Sequence, residues 1–459
     1  MALSRSTSTL SLTSFFLLLT LLSTSTLVIS QPALNSAEQE SVYQILESIN
    51  SAIPWRSLYP DDLCISAPHG VVCDYFSENT TATIGTPHVT EMSVGYVSDY
   101  SPNPPCTPKS TINPLLFSSF PQLRKLLFYK CFTETTVTFP DFSTLRSSLE
   151  ELVFIGNPSL VGSLRGNISN LTALKRLILT GNNVSGEIPD GLGDLVNLEQ
   201  LSLSRNNFHG EVTLSLEKLK KLKILDLSQN GFEGSAPEPL GSLQQLLKLD
   251  LSFNNFSGKI PENLKGLKKL EFLDLSYNGF AQCGVPLFLA EMPSLREVYL
   301  SGNLLGGQIP EIWDNLGGIL GIGLSEVGLV GNIPSSMGMF LRNLSYLGLD
   351  NNKLEGMVPE EFGALESVNE LNLENNNLSG RVPFSAKFVS KVGGKLKLEG
   401  NPELCADEGL RSAKVSGSLG QLKLCNKPVI PHFVLLSSGF SVLHDSYMLI
   451  FVGFLFLLS

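Results

Sequence analysis

Apolar residues return on a fixed beat through the middle of the chain. The clearest copy runs Leu246, Leu249, Leu251, Asn254, Phe256, Gly258, Ile260 and Pro261, and the next opens at Leu270. First anchors recur at Leu149, Leu174, Leu198, Leu222, Leu246, Leu270, Leu295, Ile319, Leu344 and Val368, always 24 or 25 residues apart. A period of that length is the signature of stacked structural repeats, each too small to bury its own apolar face.

Each slot of the repeat has a physical role. Leu249 and Leu251 alternate with Lys248, Asp250 and Ser252, which predicts a short strand with an apolar core side and a polar side facing solvent. The same reading puts Ser228 on the exposed face and Leu227 in the core. The Asn254 slot holds Asn157, Asn182, Asn206, Asn230, Asn278, Asn303, Asn352 and Asn376 in the other copies. An amide both donates and accepts, so a column of them can satisfy backbone groups left unpaired where the chain turns off each strand. Phe208, Phe232, Phe256 and Phe280 fill the slot behind the strands, followed later by Leu305, Leu329, Leu354 and Leu378. Gly258 permits a tight bend, and Ile260-Pro261 opens an irregular extended segment suited to proline's fixed φ.

The repeats Gly186-Glu187-Ile188-Pro189, Gly307-Gln308-Ile309-Pro310 and Gly331-Asn332-Ile333-Pro334 complete a pattern that resembles the plant extracellular leucine-rich repeat proteins. More narrowly, the plan resembles the receptor-like proteins of the Too Many Mouths and Piriformospora indica-insensitive groups. The resemblance implies an α/β solenoid: a plant-type leucine-rich repeat superhelix with a parallel β-sheet on its concave face and a cap at each end. Trp55, Asp61-Asp62, Cys64 and Gly70-Val71-Val72-Cys73 resemble the N-terminal cap of that family, which implies a Cys64 to Cys73 bond. Asn401-Pro402-Glu403-Leu404-Cys405 resembles the start of the C-terminal cap, closed by Cys405 and Cys425. Cys131 stands in the asparagine slot of a degenerate repeat begun by Leu123, Leu126 and Phe128. Either it is a buried residue of that column or it is bonded to Cys106. With that bond formed, Cys283 is the unpaired cysteine of seven.

The ends read differently. Arg5, the apolar run Phe15 to Leu22, and the small residues Val28 and Ser30 form a secretory signal with a cut before Gln31. At the far end, Ser437, Ser438 and Gly439, a mixed spacer and the apolar run Met448 to Ser459 have the layout of a glycosylphosphatidylinositol signal, with Ser437 as attachment point. A single membrane span is the rival, but it would place His444 and Asp445 near its middle, where an aspartate costs roughly 2.5–3.5 kcal/mol. The expected organisation is a signal peptide over 1–30, N-terminal cap and bridge over 31–115, repeats over 116–404, C-terminal cap and stalk over 405–436, and a hydrophobic tail over 437–459.

A net charge of −11 and five scattered histidines offer no basic stripe for nucleic acid and no cluster for a metal. No catalytic residue and no cofactor is expected, and the chain lacks the motifs of phosphoryl transfer. The candidate site is the concave surface. Projecting strand positions outward brings up Arg176, Arg205, Lys248, Phe253, Phe272, Tyr277, Tyr299 and Tyr346, with the aspartates Asp226, Asp250 and Asp274 between them. Aromatic residues and arginines are the usual anchors of protein interfaces; the aspartates belong to the Leu-Asp-Leu-Ser of the repeat and read as solvated strand positions. Three departures mark the array: Glu211-Val212-Thr213 in place of Gly-x-Ile-Pro, Val327 in place of an asparagine, and an extra residue within Ala281-Gln282-Cys283-Gly284. Glycosylation sequons fall at Asn79, Asn167, Asn170, Asn183, Asn255, Asn343 and Asn377. The family resemblance implies a receptor-like protein on the outer face of the plasma membrane, held by its C-terminal tail. It would take an extracellular peptide or protein ligand, a leucine-rich repeat receptor kinase as partner, or both. The alternative is a secreted inhibitor of microbial polysaccharide-degrading enzymes, which fits the repeats but not the tail.

Overall fold

Repetition of one leucine pattern produces one repeated hydrogen-bonding register. In the computed structural model, residues 32–77, 85–95, 103–164, 166–411 and 418–425 are described. Among them, fourteen strands form a single sheet. It opens with an antiparallel pair, Val71–Phe76 and Thr86–Val94, and continues in parallel from Lys125–Tyr129 to Leu396–Lys397. Successive strands pair slot for slot: Ile224 with Lys248 and Lys248 with Phe272, Leu225 with Leu249 and Leu249 with Leu273. The leucines of every copy therefore meet in one continuous core, with Leu225, Leu227, Leu249 and Leu251 fully buried. Behind the strands Phe208, Phe232, Phe256 and Phe280 stack with ring centroids 6.1–6.3 Å apart.

The asparagine column acts as a ladder. Asn254 Nδ2 donates to Leu227 O of the preceding coil at 3.0 Å and to Leu251 O of its own at 3.1 Å, while its Oδ1 accepts from Phe232 N at 3.1 Å. The ladder begins at Asn157, whose Oδ1 accepts from Cys131 N at 2.8 Å. Cys131 is bonded to Cys106 as well as fully buried, so the two readings of that residue are joined rather than opposed: its thiol ties down the bridge and its backbone receives the first rung. At Val327 the rung is missing, and Asn352 Oδ1 accepts from both Val327 N and Leu329 N.

Each coil then turns onto a flank. Seven short strands from Val137–Thr138 to Gly279–Phe280 form one flank sheet, and five from Val330–Asn332 to Lys423–Leu424 form another. Between them a lone bridge joins Ala281 to Leu304. Short 3-10 turns such as Glu262–Gly266, entered through Pro261, make the convex side.

The exposed end of the solenoid is sealed by the helix α1, Ser36–Ile49, whose N-cap Asn35 accepts from Ala37 N at 2.8 Å. Its Val42, Ile45, Leu46 and Ile49 are buried with Trp55, whose Nε1 donates to Asn50 O at 2.8 Å. The buried Glu38 reaches the sheet and accepts from Val89 N at 3.0 Å. Cys64 is bonded to Cys73 and Cys405 to Cys425; Cys283 is free and half-buried. Among the described residues no helix is long and apolar enough to cross a membrane. The leader, the hydrophobic tail with Ser437, and Asn79 lie outside the described residues, as does the side chain of Asn167.

Candidate binding surface

The turn off each strand sets the geometry of the first aromatic group. The residue just before each ladder asparagine adopts a left-handed backbone: Arg205 at φ 56°, Phe253 at 54° and Tyr277 at 54°, with glycines at Gly156, Gly181 and Gly302 in the same slot of other coils. Glycine enters that region freely, whereas a bulky residue held there costs on the order of 1–3 kcal/mol. Phe253 and Tyr277 bear that strain while remaining 48% and 44% exposed, their rings stacked with centroids 4.4 Å apart. Tyr277 lies flat over the next coil, where a Cβ on Gly302 would come within 2.5 Å of the ring. These two residues and Arg205 stand in the turn at the rim of the concave sheet, not on the strands where alternation placed them. The strands end three residues earlier, at Ser202, Asp250 and Asp274, so projection along the strand assigns them to the wrong column.

The second group does lie on strands. Phe272 and Tyr299 are 5.8 Å apart between centroids, and Tyr299 and Tyr346 are 6.1 Å apart although a whole strand, Gly321–Gly323, separates them. That strand makes the contact possible. A Cβ on Gly321 would sit 2.7 Å from the Tyr299 hydroxyl and one on Gly323 2.7 Å from its ring, while one on Gly348 would meet the Tyr346 hydroxyl at 2.5 Å. The tyrosines therefore recline on a floor without side chains. Tyr299 is pinned by its hydroxyl, which donates to Glu297 Oε2 at 2.9 Å; burial and this carboxylate push its ionisation well above the ordinary tyrosine range. Burial likewise raises Tyr346.

The polar column between the aromatic groups is only partly solvated, with Asp226 and Asp274 half-buried. Asp250, Ser228 and Ser252 are buried, and Ser228 Oγ and Ser252 Oγ each donate at 2.7 Å to the aspartate two residues before, Asp226 and Asp250. Ser228 is thus not an exposed position: a small hydroxyl that finds its acceptor in its own coil can be buried without loss. Lys248 Nζ sits 3.3 Å from both Asp226 and Asp250 and 5.0 Å above the Phe272 ring. Its burial favours the neutral amine, but the two carboxylates prevail and raise it. Asp274 has no such cation of its own; burial, against the hydrogen bond from Ser276 N, pushes it up to about 6.

Of the other expected residues, Arg176 is exposed and pairs with Glu151 at 3.3 Å. Asn170, Asn255, Asn343 and Asn377 are exposed and Asn183 half-buried. Asn183, Asn255 and Asn377 lie on flank strands, clear of the concave sheet. Sequence reasoning missed Gly302, Gly321, Gly323 and Gly348; the signal was there, since Gly321-Ile322-Gly323 puts glycine at both outward positions of one strand.

A family model described as a leucine-rich repeat region matches residues 122–388, more than half of the chain. The chain belongs to the leucine-rich repeat family. Within it, the chain is 36% identical over 155 residues to Piriformospora indica-insensitive protein 2 of Arabidopsis thaliana, across 33% of this chain and 34% of that protein. It is 32% identical over 139 residues to Protein TOO MANY MOUTHS of the same plant, across 30% of this chain and 26% of that one. The matched stretch therefore spans about a quarter to a third of those relatives' length. Among solved structures, the leucine-rich repeat ectodomain of the Arabidopsis receptor kinase HAESA, in complex with an IDA peptide hormone ligand, superposes with a TM-score of 0.63 at 26% identity, covering 82% of this chain and 58% of that one.

Proposed function

We propose that this protein is a receptor-like protein of the plant cell surface that binds an extracellular peptide or protein ligand on its concave face and signals through a leucine-rich repeat receptor kinase. The observation that carries this reading is the pair Phe253 and Tyr277, two large rings held exposed at backbone angles that favour glycine. Other coils hold polar residues at the same angle in this slot, Gln229, Asn351 and Asn375 among them; here it carries aromatic side chains, the usual anchors of a protein interface. The peptide bound by the HAESA ectodomain supports the ligand class. In this reading the chain enters the secretory route through residues 1–30, carries glycans at several of its sequons, and is anchored through the tail with Ser437 as attachment point. No catalytic step is assigned to it.

Replacing Phe253, Phe272 and Tyr277 together with serine tests the reading. Secretion and melting temperature should stay near those of the parent protein, while recovery of a receptor kinase or ligand with the ectodomain from plant membranes should fall, since truncated interface anchors commonly cost roughly 2 kcal/mol or more. Undiminished recovery would remove the Phe253 and Tyr277 rim and the neighbouring Phe272 from the interaction, and with them the observation that carries this reading.

A further inference from the structure

The reclining rings define a slot with a measurable repeat. Phe272, Tyr299 and Tyr346 run across the strands, with successive centroids 5.8 and 6.1 Å apart. In an extended peptide, side chains on one face recur every second residue, about 6.6 Å apart. A chain laid across the strands thus presents alternate side chains to the three rings in turn. The space above Gly321, Gly323 and Gly348 is filled by Tyr299 and Tyr346 themselves, so an occupant meets the exposed sides of rings laid flat rather than the strand backbone.

Charge gives this slot a direction. Next to Tyr346 in register stands Glu370, and from that coil onward Asp350, Glu374 and Glu399 stand against Lys395 and Lys397, with Glu326 on the coil before. Lys395 Nζ lies 3.4 Å from Glu370, and Asp350 accepts from Ser325 Oγ at 2.6 Å and from Asn351 Nδ2 at 2.7 Å. The excess negative charge remains. At the opposite end, beyond Phe272, Lys248 is already held between two aspartates.

Building on the peptide-receptor reading above, we propose that this strip seats an extended peptide with apolar side chains at three alternate positions, over Phe272, Tyr299 and Tyr346. A lysine or arginine immediately beyond them would lie against Asp350, Glu370 and Glu374. Side-chain spacing sets the register, and the carboxylates set which end of the motif points toward the C-terminal coils.

Selection of a random linear peptide library on the complete glycosylated ectodomain tests this. The expected result is enrichment of peptides with apolar residues at i, i+2 and i+4 and a basic residue within the next two or three positions on one side. A synthetic peptide of the enriched sequence should lose affinity about tenfold or more on Tyr299→Ala or Tyr346→Ala, in line with truncated interface anchors. It should lose affinity by a similar factor on Asp350→Asn combined with Glu370→Gln and Glu374→Gln. The carboxamide replacements keep shape and hydrogen-bond acceptors, so they report charge even if a tyrosine variant folds poorly. Enriched peptides that lack the motif, or that bind the carboxamide variant equally well, would overturn this proposal and leave the peptide-receptor reading standing. Failure to enrich any peptide would overturn both.

Discussion

Asn254→Ala removes one rung from the ladder, and the structure fixes what is lost. The amide nitrogen gives up Leu227 O at 3.0 Å, Leu251 O at 3.1 Å and Ser252 O at 3.2 Å, and the amide oxygen gives up Phe232 N at 3.1 Å. Asn254 is buried, so water does not simply replace it. Phe232 N–H and Leu227 O lie in the preceding coil, and stranding a buried group costs about 1–3 kcal/mol. With partial relaxation the total should be about 2–4 kcal/mol. Asn254→Asp should be at least as harmful, because a second oxygen would face the Leu227 and Leu251 carbonyls. Urea denaturation of the ectodomain followed by circular dichroism measures both, with the exposed Lys259→Ala as control. If Asn254→Ala and Lys259→Ala shifted the midpoint equally, the ladder would carry no stability and the repeats would be held by leucine packing alone.

Leu227→Ala should cost about 2–5 kcal/mol as a core truncation, while Ser228→Ala should cost about 1 kcal/mol through the lost bond to Asp226; thermal melts that show no loss for Ser228→Ala would put that hydroxyl back in solvent. Asp274 keeps its proton to about pH 6 in the folded chain against an ordinary 3.8. Between those values the folded state holds a proton that the unfolded state has released, so stability falls as pH rises and levels off above the window. Asp274→Asn should erase that fall, gaining about 1–3 kcal/mol over the parent at pH 7 relative to pH 3.5; an equal offset at both values would refute it. Finally, phosphatidylinositol-specific phospholipase C should release the protein from intact membranes. Retention of a chain whose peptides reach Ser459 would instead mean a membrane span.

The leucines, the asparagines and the phenylalanine stack were legible because each recurs in its slot and because local chemistry decides its place. What escaped was whatever depends on the neighbouring coil. Ser252 reads as polar and therefore exposed, yet Asp250, two residues away, gives it an acceptor and lets it be buried. Gly323 reads as a weak strand residue, and its use appears only when Tyr299, a full repeat earlier, is laid across it. Phe253 and Tyr277 were assigned to strands, although glycine at Gly156, Gly181 and Gly302 in the same slot already signals a left-handed turn there.

The stretch of two coils between Phe280 and Val330 has a mechanical consequence. It lacks a regular flank strand, it lacks the ladder asparagine at Val327, and it buries Trp313 Nε1 without an acceptor among the described residues. A one-dimensional array opens first at its weakest interface. This protein should therefore behave as two stiff rods sharing a soft joint, with amide exchange fastest around 304–329 rather than at its disulfide-bound ends. Phe272 lies on one side of that joint and Tyr346 on the other. Whatever rests on both would act as a splint, and its arrival would register as a loss of bending rather than as a change of shape.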